Sequence, residues 1–533
     1  MLSVLSTIPA KDLLSSIEPT LLKEIVKVSG YSLSDLDGDS NACAKLLLAA
    51  AGDNVLENEQ IRFLLLAKMS DRKIHKVAQK YLSASPTNTV SACRLLARLP
   101  WNAKSRFVYE FAKQFGISRQ YLPIASNKIG SIETVDPVEQ HYKLFDFQDK
   151  LKYKILEELN SACSRFMVQM PTGSGKTKTV WESLVSYINQ KKIYERELST
   201  IWLAHTEELC EQSIDTFRNV WQHLGSGTVN IVRVWGSHKV SPFSLYGSSL
   251  FCTYQKLNSV FGKNKDFAEV IRESTRFVIA DEAHKCLAPT YEKAIKDISK
   301  NAILIGLTAT PGRSLNNPIQ NERLARLFEK KLLSPTFASN SIQELRSKGV
   351  LASINHRIIE TQFSLGPGNK YEDFSPHVLK AVARNAHRNR LIIEVIKNEI
   401  KVGNPVLVFA CSTLHSRILA ASLNFSGITS AYIDCSMRQS LRRNTILAFK
   451  KGDIDVLLNY GVLSTGFDAP NIKTVIIARP TTSPVLYSQM VGRGMRGPAV
   501  GGTNSFNLID LRDNVDLFGD VDDIYQQFDG YWD

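Results

Sequence analysis

The stretch Met170–Thr179, MPTGSGKTKT, decides how the rest of the chain is read. An apolar run, RFMVQ, ends just before it, and a helix-like segment, VWESLVSYI, follows. A strand, a glycine loop and a helix in that order make the cradle that a polyphosphate needs. Gly173 and Gly175 allow backbone N–H groups to approach phosphate oxygens where a Cβ would intrude, with Thr172 and Ser174 completing the loop. Lys176 brings a full positive charge to the β- and γ-phosphates, and Thr177 a hydroxyl for Mg²⁺. The strict pattern GxxxxGK[ST] fails only at its first position, which is Met170.

Outward from this loop, short β-branched and apolar runs alternate with helix-length spacers. RFMVQM, STIWLAH, SLFCTYQ, FVIADEAH and AILIGLTAT form a first set; PVLVFACS, SAYID, VLLNYG and TVIIARP form a second. Such alternation predicts the α/β class with parallel sheets. Two sets predict two such domains, 141–335 and 336–512. Residues 1–135 read as all-helical, with apolar residues three and four apart in LLKEIVKVSG and IRFLLLAKM. Within them Phe107–Pro123 matches a helix-turn-helix in outline, with Gly116 at the turn. Pro123, however, would end the second helix after about one turn, so two packed helices are expected instead. QFSLGPGNKYEDFS (362–375) reads as a loop, and 513–533 as an acidic tail.

Further motifs sit at predicted strand ends, where parallel sheets bind ligands. VIADEAH (Val278–His284) lies about a hundred residues beyond Lys176 and ends an apolar run on two acids. Asp281 is suited to hold Mg²⁺ through water, and Glu282 to orient and deprotonate an attacking water. In GLTATPGR (Gly306–Arg313), Thr308 and Thr310 are placed to bond those acids. QMVGRGMRG (Gln489–Gly497) carries Arg493 and Arg496, three apart and therefore expected on one side of a helix. Opposite a phosphate they would act as arginine fingers.

The chain has 533 residues, 65 basic and 52 acidic, for a net charge of +13. The surplus is uneven: residues 1–140 carry +3, 141–510 carry +16 and 511–533 carry −6. The basic block therefore coincides with the motifs and points to a polyanion. No apolar run reaches the ~18–20 residues of a membrane span, and the start lacks the basic region of a signal peptide. The eight cysteines are scattered singly with no CxxC, which argues against structural zinc or disulfides and predicts a cytoplasmic protein.

With these residues in place, the chain resembles a superfamily 2 helicase over about residues 141–512. The form PTGSGKT and the DEAH of the second motif carry the resemblance, and further motifs recur in order. FDFQ (Phe145–Gln148) resembles the adenine-reading segment, implying Gln148 on the base. Phe145 stands where this subgroup commonly has Arg. TIWLAHTEELCEQ (Thr200–Gln212) and FCTYQ (Phe251–Gln255) resemble nucleic-acid-contact motifs, implying His205, Thr253 and Gln255 as contacts. VLVFACST (Val406–Thr413) resembles motif IV. In LSTGFDAP (Leu463–Pro470) the resemblance implies Thr465 and Gly466 on nucleic-acid phosphates and Asp468 on the nucleotide. Gln489, Arg493 and Arg496 match motif VI. The wording STGFDAP with QMVGRGMRGP is closer to RadD-like repair helicases and to type I and type III restriction motors than to DEAD-box RNA helicases.

The resemblance implies two tandem RecA-like domains behind a helical N-terminal domain. It implies ATP and Mg²⁺ in their cleft, and movement on or unwinding of DNA, duplex or forked, with little sequence preference. DNA repair and anti-phage defence are the settings it suggests. Two alternatives stand beside it: an ATP-driven clamp that recruits a nuclease or other effector without unwinding, and an RNA helicase. The N-terminal domain or the acidic tail would dock a protein partner. No nuclease motif is visible in either flank.

Overall fold

Alternating side chains along the strands feed opposite faces of two sheets, which is why the apolar runs are nearly continuous. In Thr275–Asp281, Phe277 and Ile279 enter one core while Val278 and Ala280 enter another. The computed structural model describes residues 1–532 apart from 84–85, 124–129, 139–142, 162–163, 195–197, 313–316, 338–340, 362–372, 464–470 and 513–528. The loop expected at 362–375 falls mostly outside the described residues.

The strands of the first sheet are β1 (Ile132–Val135), β2 (Arg165–Gln169), β3 (Ser199–Ala204), β4 (Val229–Val234), β5 (Ser248–Thr253), β6 (Thr275–Asp281), β7 (Ile303–Thr308) and β8 (Leu332–Leu333). Their order is β1-β4-β5-β3-β6-β7-β2-β8, parallel except that β1 runs antiparallel to β4. The second sheet contains β9 (Ser353–Ile359), β10 (Val406–Phe409), β11 (Ser430–Asp434), β12 (Val456–Tyr460), β13 (Thr474–Ile477) and β14 (Ser505–Leu511). Its order is β11-β12-β10-β13-β14-β9, parallel throughout. The two expected α/β domains are thus present, each with helices over its sheet. Trp181 and Trp202, both fully buried and stacked with ring centroids 5.2 Å apart, anchor the helix Lys176–Lys191 to the first sheet.

Residues 2–115 fold into short helices, as their periodicity predicts. The helical segment ends earlier than residue 135, because β1 joins the first sheet. Arg233 of β4, 2% exposed, binds Glu133 of β1 at 2.7 Å and Glu211 at 3.0 Å, and Arg218 binds Glu133 at 2.6 Å. These charges hold an otherwise thin edge strand in place. Of the two packed helices expected over Phe107–Pro123, only the first forms. The helix Arg106–Phe115 ends on left-handed Gly116, and only a 3₁₀ turn, Arg119–Tyr121, follows.

The helical segment does not stand apart. Its apolar residues, among them Leu21, Ile25, Leu46 and Leu47, share one core with Ile392, Ile396, Ile418 and Leu419 of the second sheet's helices Ala386–Lys401 and Thr413–Phe425. Arg390 Nη2 donates to Lys27 O at 2.7 Å, Arg417 binds Glu18 at 2.7 Å, and Tyr31 meets Phe425 edge to face at 5.3 Å. At the far end, Trp532 Nε1 donates to Pro311 O at 2.8 Å and packs on the first sheet's outer core. No helix among the described residues is long and apolar enough to cross a membrane.

Candidate active site

Strand register brings the chemistry to one edge. Gln169 pairs with Thr308, Asp281 with Leu307, and Ala204 with Thr253, so the ends of β2, β7, β6, β3 and β5 lie side by side. Beyond β2 the loop turns through Gly173 and Gly175, at φ 87° and 88°, a region that favours glycine. Gly175 caps the helix Lys176–Lys191. A Cβ on Gly175 would also lie 2.2 Å from Gln148 Nε2.

Gln148 is 2% exposed, and both ends of its amide are engaged: Oε1 accepts from Phe145 N at 3.0 Å and Nε2 donates to Ser174 O at 2.8 Å. The residue expected to read a base is thus also a brace for the phosphate loop. Ser174 is buried with its hydroxyl donating to Pro171 O at 2.8 Å, so in this loop its side chain serves the turn. Lys176 Nζ reaches Met170 O at 3.3 Å. Burial depresses its pKa, against the pull of Glu282 and Asp281; the Arg493 charge adds to the depression.

Asp281 ends β6 at 7% exposed, and its Oδ1 accepts from Glu282 N at 3.0 Å. Burial, and then the Glu282 charge, push Asp281 up to about 7. Burial acts the same way on Glu282, but His284, Lys176, Lys285 and Arg493 outweigh it and hold that carboxyl below its ordinary range. Two acids so crowded beside Lys176, with Thr177 next to it in the chain, are a donor set that suits a hard divalent cation completed by phosphate and water. Glu282 also adopts φ 51°, a left-handed conformation that a non-glycine residue rarely takes.

The second domain closes directly on this edge. Gln489 Nε2 donates to Glu282 Oε2 at 3.1 Å. A Cβ on Gly492 would meet Thr172 at 2.6 Å. Leu351 and Arg496 form a bridge pair that lies against Gly173. The expectation that Arg493 and Arg496 share a helix face is not met. The helix Pro484–Val491 stops before both; Arg493 lies in the following turn and Arg496 in the bridge to Leu351. Gly494, where a Cβ would strike the Phe506 ring at 2.3 Å, lets the chain turn tightly there. Arg493 nevertheless sits close enough for its charge to act on both Lys176 and Glu282.

Thr308 does not bond the acids. Its hydroxyl donates to Thr310 O at 2.6 Å and accepts from Thr310 N at 3.2 Å, which knots the strand end on itself. Thr465, Gly466 and Asp468 lie outside the described residues.

A cavity of about 580 Å³ opens beside this edge, between the two domains. His205, Thr253 and Gln255, far apart in the chain, line it together. Burial, and then Lys285, depress His205 to about 4, so its ring is neutral near pH 7. Glu207 and Glu208, inside the segment Thr200–Gln212 but not singled out from it, line the same space with Lys256, Cys435 and Arg442, which no quoted motif contains. Arg442 lies on the helix Gln439–Lys451, where only its basic neighbour Arg443 hinted at a polyanion contact.

Comparison with known proteins places this geometry. Residues 141–313 match the family described as "Type III restriction enzyme, res subunit", and 387–497 match "Helicase conserved C-terminal domain". The ATP-dependent helicase candidate IRC3 of Saccharomyces cerevisiae is 24% identical over 363 residues, covering 66% of this chain and 49% of that protein. The ATP-dependent RNA helicase dbp10 of Aspergillus fumigatus is 25% identical, covering 62% of this chain and 39% of that protein. The chain therefore corresponds to half or less of these relatives' length. Among solved structures, a fragment from Vibrio vulnificus YJ016, an HsdR-subunit candidate of a type I restriction enzyme, aligns with a TM-score of 0.52 at 20% identity. The alignment covers 74% of this chain and 68% of that one, and it supports the two-domain fold.

Proposed function

The chain belongs to superfamily 2 of the helicases, nucleic-acid-dependent ATPases, and from that premise we propose that it couples ATP hydrolysis to movement along, or unwinding of, DNA. The observation that carries the mechanism is the Gln489–Glu282 hydrogen bond at 3.1 Å, which joins a residue of each domain over one site. In this reading Thr172, Gly173, Ser174 and Gly175 cradle the phosphates and Lys176 neutralises them, with Gln148 bracing the loop and Asp468 reserved for the nucleotide. Thr177 and Asp281 would hold Mg²⁺, which supplies charge neutralisation at the transferred phosphoryl group. Glu282 takes the proton of the attacking water, and Gln489 fixes its carboxylate. Arg493 and Arg496, brought in by the second domain, face the charge that develops on the γ-phosphate.

The basic block over 141–510 and the convergence of His205, Thr253 and Gln255 on one cavity support a nucleic-acid track, to which Thr465 and Gly466 would contribute. DNA is favoured over RNA by the wording of the motifs and the restriction-enzyme family match. That match also supports a setting in DNA repair or anti-phage defence, reached through a protein partner. The test is ATPase rate against single-stranded, duplex and forked DNA and RNA, with strand displacement in parallel. Stimulation and displacement on DNA are expected. ATPase without displacement would leave the clamp, and RNA-only stimulation an RNA helicase.

A further inference from the structure

The cavity between the two domains holds a charge pair with no part in the ATP chemistry. Arg442 Nη2, from the second domain, donates to Glu208 Oε1 of the first. The side chains are 13% and 22% exposed, so the pair is largely withdrawn from water. The remaining bonding of Arg442 is poor. Nη1 reaches Asp434 O only at 3.4 Å, and the buried Nε has no protein partner among the described residues. A guanidinium offers five N–H donors, and this one keeps capacity to spare.

The pair's position matters more than its strength. It lies among His205, Thr253 and Gln255, the residues proposed to touch nucleic acid. Acids in the first turn of a helix are ordinary, since the helix dipole favours them, and Glu207 needs no further account. Glu208 does something else: its charge goes to an arginine of the other domain. A carboxylate presents two oxygens to a guanidinium much as a phosphate does. In a groove that takes a polyanion, it fills the place of a phosphate.

We propose that Glu208 is an internal stand-in for a backbone phosphate, holding Arg442 until nucleic acid displaces it, and that Arg442 is then a phosphate ligand of the track. This rests on the nucleic-acid reading above. On exchange, the direct link between the domains becomes one made through the strand, so both domains grip the same backbone. A brief encounter that does not seat a phosphate leaves the pair intact.

The test is binding of a labelled DNA oligonucleotide by fluorescence anisotropy, between about 50 and 200 mM salt. Glu208→Gln is expected to tighten binding about fivefold, because no carboxylate competes for the arginine. Arg442→Gln is expected to weaken it about fivefold and to reduce the salt slope by about one counterion. In the Arg442→Gln background, Glu208→Gln should change affinity less than about twofold. Unchanged or weaker binding by Glu208→Gln alone would overturn the proposal, as the pair would then be a bridge kept in the complex. So would a tightening that persists without Arg442, since that is plain repulsion. If the unaltered protein binds no nucleic acid at all, the underlying reading fails instead.

Discussion

Glu282 concentrates the demands placed on this site in one residue. Its backbone sits in a strained region, its carboxyl is buried beside a second acid, and His284, Lys176, Lys285 and Arg493 hold its pKa down. Strain of this kind, about 1–3 kcal/mol, survives where surrounding structure overrides it, and here it aims the carboxylate at Gln489. Glu282→Gln should therefore retain ATP binding and lose turnover by at least about a hundredfold, read by nucleotide binding and ATPase rate on the same sample. Lys176→Ala should lose both. Asp281 gives a separate test through pH. Its folded pKa, about 7, lies above the ordinary 3.8, so its ionised form disfavours the nucleotide-free fold, and the penalty grows as pH rises between those values. Asp281→Asn should accordingly raise the melting temperature of the nucleotide-free protein at pH 8 and change it little near pH 4, measured by thermal melts. An equal shift at both pH values would refute this account. These residues were legible because each lies in a short run whose spacing alone states its chemistry. The Gln489–Glu282 bond was not, since nothing local ties residues 207 positions apart.

At the scale of elements, the glycines of the second domain's closing turn are the sensitive points. Gly492 faces Thr172 with no room for a Cβ, while the turn itself lies on a well-packed segment. Gly492→Ala should cut nucleic-acid-stimulated ATPase strongly while moving the melting temperature by only about 2–4 °C, because it obstructs contact between domains rather than a core. Wild-type turnover in that variant would mean that hydrolysis does not require this closure. Nine strands could be read from apolar runs, β2, β3, β5, β6, β7, β10, β11, β12 and β13; all but β11, which lies at an edge, are interior parallel strands, apolar on both faces. β1, β4, β8, β9 and β14 escaped notice: β8 has only two residues, and Asn230 and Arg233 interrupt the apolar run of β4. β1 and β9 are edges with exposed polar residues, and in β14 half-buried Asn507 bonds Glu399 while buried Asp510 bonds His356. The helix expected under Arg493 and Arg496 failed because tight packing at Gly492 and Gly494 ends it early, which no periodicity reveals.

Across the whole molecule, the N-terminal helices belong with the second α/β domain although the first one separates them in sequence. The shared core means that these helices move with the second domain. After cleavage at protease sites introduced near residues 124 and 338, the fragment 1–123 should co-elute with the C-terminal fragment, not with the middle one, in size-exclusion chromatography under native buffer. Its elution alone would refute the shared core. The acidic tail, read from its charge as a lead to a partner, is engaged within the chain at Trp532, on the carbonyl of Pro311. By itself the sequence determined the α/β class, the phosphate loop, the paired acids and the basic block, because period, glycine and charge act over a few residues. The tertiary structure alone decided which domain the helices join, that Gln148 braces the loop, and that Arg442 meets Glu208. Those are contacts between segments distant in the chain, set by how apolar faces and opposite charges find each other after the local elements have formed.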